Sequence, residues 1–184
     1  GQNISANPFL MLKEGNNTTT VKAFFSKVFA DVKLPFDINY SLNVGVNNAG
    51  DSRSQFFPHA VSYNALTNAA NILNNNPYAY RDQNDNLNIS AYNTLNWEKT
   101  SNNRSRFAIM IGSSYSSFET SNFSSQIYGF LDNSLTDISA GSTNPQVGGR
   151  TTKDILQSYF SRAEYSFREK YLLDATLRYD GSSR

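Results

Sequence analysis

From Phe36 to Asn47 the residues alternate without a break. Phe36, Ile38, Tyr40, Leu42, Val44 and Val46 hold one parity, and Asp37, Asn39, Ser41, Asn43, Gly45 and Asn47 the other. A repeat of two is the side-chain period of a β-strand. The stretch therefore predicts a strand with one apolar and one polar face, near residues 36–48. Two settings satisfy such a strand. A soluble sheet puts a core on one side and water on the other, whereas a membrane barrel puts lipid on one side and a wet lumen on the other.

The same period recurs at the end of the chain. Tyr171, Leu173, Ala175, Leu177 and Tyr179 oppose Leu172, Asp174, Thr176, Arg178 and Asp180. Before them, Tyr159, Ala163, Tyr165 and Phe167 oppose Arg162, Glu164 and Ser166. The tripeptide Arg168-Glu169-Lys170 is short enough to join the two as a hairpin, so strands are expected near 158–167 and 171–180. Three further strands are expected near 21–33, 87–99 and 104–118. Phe25 and Phe29 fall on the charged face of the first of these, and Asn93 falls on the apolar face of the second.

The connections separate barrel from sandwich. Turns at 34–36, 100–103 and 168–170 are short, and long Asn-rich loops are expected at 49–86 and 119–157, the former with a short helix at 65–73. In an up-and-down meander all short turns share one end and all long loops the other. Bacterial outer-membrane barrels are built this way, with the long loops extracellular. The assigned faces keep Lys27, Asp31, Arg162, Glu164, Asp174 and Arg178 off the lipid side. The expected fold is thus all-β, part of an antiparallel up-and-down transmembrane barrel. Six strands are too few to close one, since barrels start at about eight. With a polar opening at Gly1 and a strand running to Arg184, the chain reads as a piece of a larger protein, with further strands elsewhere.

Composition narrows the function. Aromatics are 14% of the chain and helix-forming composition is absent, which favours strands. The net charge of +1 gives no argument for nucleic acid, and with no cysteine there is no thiol metal site or disulfide.

The closing hairpin carries a resemblance. Ser158-Tyr159-Phe160-Ser161-Arg162, then Tyr165-Ser166, then Lys170-Tyr171-Leu172-Leu173, and finally Leu177-Arg178-Tyr179-Asp180-Gly181-Ser182-Ser183-Arg184 resemble the barrel signature of the SusC/RagA family. These are TonB-dependent outer-membrane importers of Bacteroidota. Asn93-Thr94-Leu95-Asn96-Trp97 resembles a second, looser motif of that family. The resemblance implies active import of oligosaccharides or peptides by a 22-stranded barrel with a plug outside this chain. It also implies a SusD-like surface lipoprotein as partner and the TonB-ExbB-ExbD complex as energy source, acting through the plug. A passive porin and a soluble glycan-binding β-sandwich remain the alternatives.

Few residues invite chemistry. His59 is the lone histidine and reads as a loop residue, since a triad or His-based metal cluster needs partners. Asp82 and Asp85 read as solvated turn acids, so neither catalytic nor metal residues are expected, and no cofactor. Tyr78, Tyr80, Arg81 and Asp82 combine aromatic faces with hydrogen-bonding groups and are the candidate ligand contacts. Asn39, Asn43, Asp174 and Arg178 are the candidate lumen-facing row.

Overall fold

The computed structural model describes residues 15–63, 67–101, 105–168, 170 and 171–183. It is all-β. The strands are β1 Asn16–Leu34, β2 Ile38–Phe57, β3 Ala60–Tyr63, β4 Ala70–Asn74, β5 Tyr78–Ser101, β6 Ser105–Tyr128, β7 Thr143–Phe167 and β8 Tyr171–Ser182, with a 3-10 turn at Ile138–Ala140. Six strands form one sheet in the order β1-β2-β5-β6-β7-β8, and β3 pairs antiparallel with β4 as a separate ribbon. Among the described residues the sheet does not close on itself: β1 and β8 are its edges. No helix among them is long and apolar enough to cross a membrane, which says nothing of strands.

The closing hairpin forms as expected, β7 pairing antiparallel with β8. Phe167 faces Tyr171, Tyr165 faces Leu173, Ala163 faces Ala175 and Tyr159 faces Tyr179. The turn is closed by Lys170 N–H donating to Phe167 O at 3.1 Å, with Arg168 in the left-handed region at φ 51°. The first turn is displaced by one residue from the expected 34–36, to 35–37. Phe36 and Asp37 both have positive φ, at 68° and 63°. Such a pair gives a turn whose twist matches that of the flanking strands. Phe36 therefore belongs to the turn, and β2 begins at Ile38.

The long loops require correction. Residues 49–86 and 119–157 are largely strand, because β2 runs on to Phe57, β5 starts at Tyr78, β6 runs to Tyr128 and β7 starts at Thr143. The helix expected at 65–73 is replaced at its end by β4, Ala70–Asn74, while its start lies outside the described residues. The polar run from Asn16 is likewise strand. Apolar alternation fails in these segments because both faces are polar, yet the ladder continues on Thr, Ser and Tyr, which suit strands. Polar cross-strand pairs replace apolar ones. Asn84 Nδ2 donates to Asp51 Oδ2 at 3.2 Å, and the Ser121 and Thr151 hydroxyls lie 3.0 Å apart.

By chain proximity the molecule divides into two units. One comprises Gly50–Asp85 and Ser121–Thr151 with the described residues up to Lys22; the other comprises Ala23–Ala49, Asn86–Thr120 and Thr152–Arg184. We call them the loop unit and the stem unit. The loop unit has a small core of Phe56, Ala79 and Phe130, with Ile127, Ile138 and Ala140 against it. The Phe56 and Phe130 rings meet edge to face at 5.1 Å. Asn133 ties this unit together, accepting from His59 N–H at 2.8 Å and donating to His59 O at 2.9 Å.

Candidate functional site

In the loop unit the four candidate ligand residues open β5 and take different partners. Alternation along a strand sends Tyr78, Tyr80 and Asp82 one way and Arg81 the other, and their partners agree. Tyr78 stacks on Phe57 at 4.4 Å and 14°, and meets Tyr128 at 5.3 Å. Asp82 faces Arg53, whose Nε lies 3.8 Å from Oδ1, whereas Arg81 reaches Asp137 at 3.6 Å. The Tyr78 ring is thus in contact with two aromatic neighbours. Burial, with the Tyr128 phenol second, pushes the Tyr78 hydroxyl above the ordinary tyrosine value. Neither Phe57 nor Tyr128 stands out in the sequence. Their signal is positional, since both flank the ends of neighbouring strands.

Asp82 is the unusual member. Its Oδ1 is buried and accepts no hydrogen bond, because Arg53 at 3.8 Å is beyond hydrogen-bond length. A buried acceptor without a donor costs about 1–3 kcal/mol. Asp82 and Arg81 both line a cleft of about 490 Å³ that also takes in residues of β1, β2, β6 and the 3-10 turn.

In the stem unit one face carries a ladder of alternating charge. Glu98 accepts from Arg106 through two bonds, at 2.6 and 2.9 Å. Arg106 lies 3.9 Å from Glu164, and Glu164 is 2.9 Å from Arg162. Arg162 Nε then donates to Asp174 at 3.1 and 3.2 Å. Glu164 and Asp174 stand directly opposite across β7 and β8. Two like charges so placed repel, and Arg162 bridges them. Of the candidate row, Asp174 belongs to the ladder. Asn39 lines a depression of about 240 Å³ beside Arg106, Arg162 and Glu164. Asn43 is half-buried in β2. The short connection at 168–170 sets the pairing of Glu164 with Asp174.

The motif residues have identifiable tasks. Arg178 Nε donates to both Asp180 oxygens, at 2.8 and 3.1 Å, and Nη2 donates to Ser158 Oγ at 3.3 Å. Ser183 finishes the ladder beyond β8: its N–H donates to Ile155 O at 3.0 Å and its Oγ accepts from Ile155 N–H at 2.8 Å. Tyr171, Leu172 and Leu173 are exposed, as are Leu177 and Tyr179. Gly181 lies opposite Gln157, and Ser182 ends β8 opposite Leu156. Arg184 lies outside the described residues.

Two features of the stem unit escaped the pattern of alternation. Tyr92 stacks on Phe160 at 5.4 Å on the polar side, and the Phe160 ring lies over Gly112, where an added Cβ would come within 2.5 Å of it. Asn93, the polar residue on the apolar side, donates to Ser113 Oγ at 3.0 Å, so the two satisfy each other.

Comparison with known proteins gives a fold. No protein-family model matches the chain, and no curated protein matches it either. Solved structures do. A chain from the RagAB peptide transporter superposes with TM-score 0.79 at 18% identity, covering 96% of this chain and 19% of its own. Chains from the RagAB peptide importer in its closed-closed and open-open states give 0.80 and 0.79, both at 18% identity. The chain spans about a fifth of the length of those proteins. The class defined is an antiparallel β-sheet of the kind found in the barrel of a transporter, and the likeness is one of fold.

Proposed function

We propose that the chain forms part of the wall of an outer-membrane β-barrel in a SusC-like, TonB-dependent importer of oligosaccharides or peptides. The observation that carries this reading is the inverted burial of the stem unit. Among its described residues the buried side chains are polar: Thr94, Ser117 and Ser158, at 5%, 5% and 0% exposure. Its large apolar residues stand open instead, among them Phe24, Val28, Ile111, Leu173 and Leu177, at 61%, 65%, 57%, 67% and 73%. Apolar surface on this scale calls for a covering phase, and lipid meets an outward band on barrel strands. The open edges of β1 and β8 supply the second support. Unpaired strand edges are not tolerated in lipid, so further strands must continue the sheet on both sides.

The closing-hairpin motif and the likeness in fold to peptide-importer chains favour an importer over a passive porin. In this reading the ladder face looks into the lumen, with Asn39, Asn43, Asp174 and Arg178 wetting it. A SusD-like surface lipoprotein is the partner at the outer end, and the TonB-ExbB-ExbD complex drives opening through a plug carried elsewhere in the protein. The test is fractionation of the source cells, followed by uptake. The importer predicts a heat-modifiable outer-membrane species that needs detergent, copurifies with a lipoprotein and loses uptake when TonB is deleted. Uptake that survives the deletion means a porin. A detergent-free soluble protein sinks the barrel altogether.

A further inference from the structure

We infer that the short-turn end of the stem unit binds the headgroup of an anionic phospholipid, on the face opposite the charge ladder. The inference rests on the membrane part of the proposed function and does not depend on what is transported. Register builds the site. Glu98 pairs with Arg106 across β5 and β6, and Arg106 meets Glu164 across β6 and β7. Side chains alternate in direction along a strand, so Lys99, Ser105, Phe107 and Tyr165 share the opposite face. There the Phe107 and Tyr165 rings meet at 4.6 Å. One step nearer the turns, Lys99, Ser105 and Phe167 form a row across β5, β6 and β7. Tyr171 extends it onto β8, its ring 6.5 Å from that of Phe167. Arg168 joins the row by laying its guanidinium over the Phe167 ring, 5.2 Å from the centre. Lys99 and Phe167 are two strand spacings apart, about 10 Å. The long side chains of Lys99 and Arg168 can therefore converge over the small Ser105 between them.

Charge and polarity choose the occupant. Arg53, Arg81, Arg106, Lys153, Arg162 and Arg178 each face a carboxylate. Among the described residues Lys99 and Arg168 face none, and both are exposed. Of the acids next to them in sequence, Glu98 is held by Arg106 on the other face, and Glu169 lies outside the described residues. Two cations without a counter-ion suit a phosphate. What adjoins them is apolar and open: Phe107 is 42% exposed and Leu173, opposite Tyr165, is 67%. Aromatic residues ending an apolar band mark the membrane interface of barrel strands, and lysine or arginine at that level attracts anionic lipid. An anionic diacyl lipid satisfies both parts, its phosphate between Lys99 and Arg168 and its chains along Phe107 and Leu173. A zwitterionic headgroup brings a cation of its own to the same place. An acidic soluble protein would meet the cations and leave the apolar belt bare.

The test delipidates the native protein carrying this chain in detergent and titrates lipid back, with bound lipid counted by native mass spectrometry. The probes are phosphatidylglycerol and phosphatidylcholine, with glycerol phosphate and triglutamate as competitors. Phosphatidylglycerol is expected to bind about tenfold more tightly than phosphatidylcholine. Lys99→Gln and Arg168→Gln should each weaken it about fivefold, the effect of one basic residue at an anionic surface. Lys99→Arg keeps the charge and should keep the affinity. Lys27→Gln removes a charge from β1 on the parity of Asp31, which accepts from Ser41 on the polar face, and should change nothing. Equal binding of the two lipids overturns the inference. So does binding untouched by both glutamine variants, or weakened as much by Lys27→Gln. Competition by glycerol phosphate at equal concentration means a site for free phosphate, and competition by triglutamate means an acidic protein partner; either overturns the lipid assignment. A protein that stays soluble without detergent and takes up no lipid overturns the membrane reading as well, whereas a lipid-embedded protein without these variant effects overturns this inference alone.

Discussion

The two units solve opposite problems with similar strands. In the loop unit apolar side chains gather inward, and Phe56, Ala60, Ala79 and Phe130 are all buried. In the stem unit the buried places go to Ser and Thr, and the apolar residues face out. Water suits the first arrangement, because burying a Phe contributes about 1.5–3 kcal/mol. The second gains nothing from water; in the proposed reading a hydrocarbon phase covers it. An apolar face alone therefore does not identify a membrane strand. What identifies it is an apolar face that the protein leaves uncovered.

Substitutions test this contrast. Phe56→Ala removes the central ring of the loop-unit core and its edge-to-face partner contact with Phe130. A loss of about 3–5 kcal/mol is expected, read by denaturant titration of the loop unit's signal, and it should be the same in detergent and in lipid. Next in size is Leu177→Arg, at a site 73% exposed in the stem unit. Facing lipid near the midplane it should cost about 2–4 kcal/mol, measured by reversible folding into vesicles. Leu131→Arg, at 96% exposure in the loop unit, should stay within about 0.5 kcal/mol. Equal effects for the two arginines would remove the distinction between the units.

Gly112→Val probes the polar side of the stem unit. The added carbon would meet the Phe160 ring at 2.5 Å and Asn93 O at 2.8 Å. Backbone cannot yield, so the ring must leave its place on Tyr92. Overpacking of this kind costs about 1–3 kcal/mol. Phe160→Ala in the same chain should recover only the part due to the ring, since the Asn93 carbonyl still crowds the added carbon, and a double-mutant cycle reads that coupling. Additive losses would mean the ring does not rest on the glycine.

The stem unit could be read from sequence and the loop unit largely could not, for a physical reason. Alternation appears only where the two faces of a strand meet different solvents. Ile38, Tyr40, Leu42, Val44 and Val46 advertise β2 for that reason, but the same strand goes unmarked through Asp51, Ser52, Arg53 and Ser54, where both faces are polar. The site suffered likewise. Read as a loop, Tyr78 to Asp82 formed one cluster; as a strand, Asp82 faces Arg53 and Arg81 reaches Asp137, and Tyr78 packs on Phe57 and Tyr128. Ion pairing within the hairpin was accessible, because a short turn fixes which residues face each other. The Arg53–Asp82 pair was not, because the β2–β5 connection is long and fixes no register.

The smallest expected effect lies in the connection between β6 and β7. Asp132 Oδ1 accepts from Ser134 N–H at 2.6 Å, and Leu135 N–H donates to Asp132 O at 3.2 Å. The backbone bond from Ser134, with its hydroxyl second, holds the Asp132 carboxyl below the ordinary aspartate value. A depressed carboxyl stabilises the fold above its unfolded value and loses that contribution as pH falls through the lower folded one. The turn should therefore hold from neutral pH down to about pH 4 and loosen below it, since protonation weakens the acceptor that Ser134 uses. Hydrogen exchange of the Ser134 amide, corrected for intrinsic rate, reads this directly. Asp132→Asn keeps an acceptor oxygen but cannot titrate, so its protection should be flat with pH. Asp132→Ala should lose protection at every pH. A wild-type protection factor that does not fall below pH 4 would assign the turn to its backbone bond alone, and the carboxylate would have no part in shaping the loop unit.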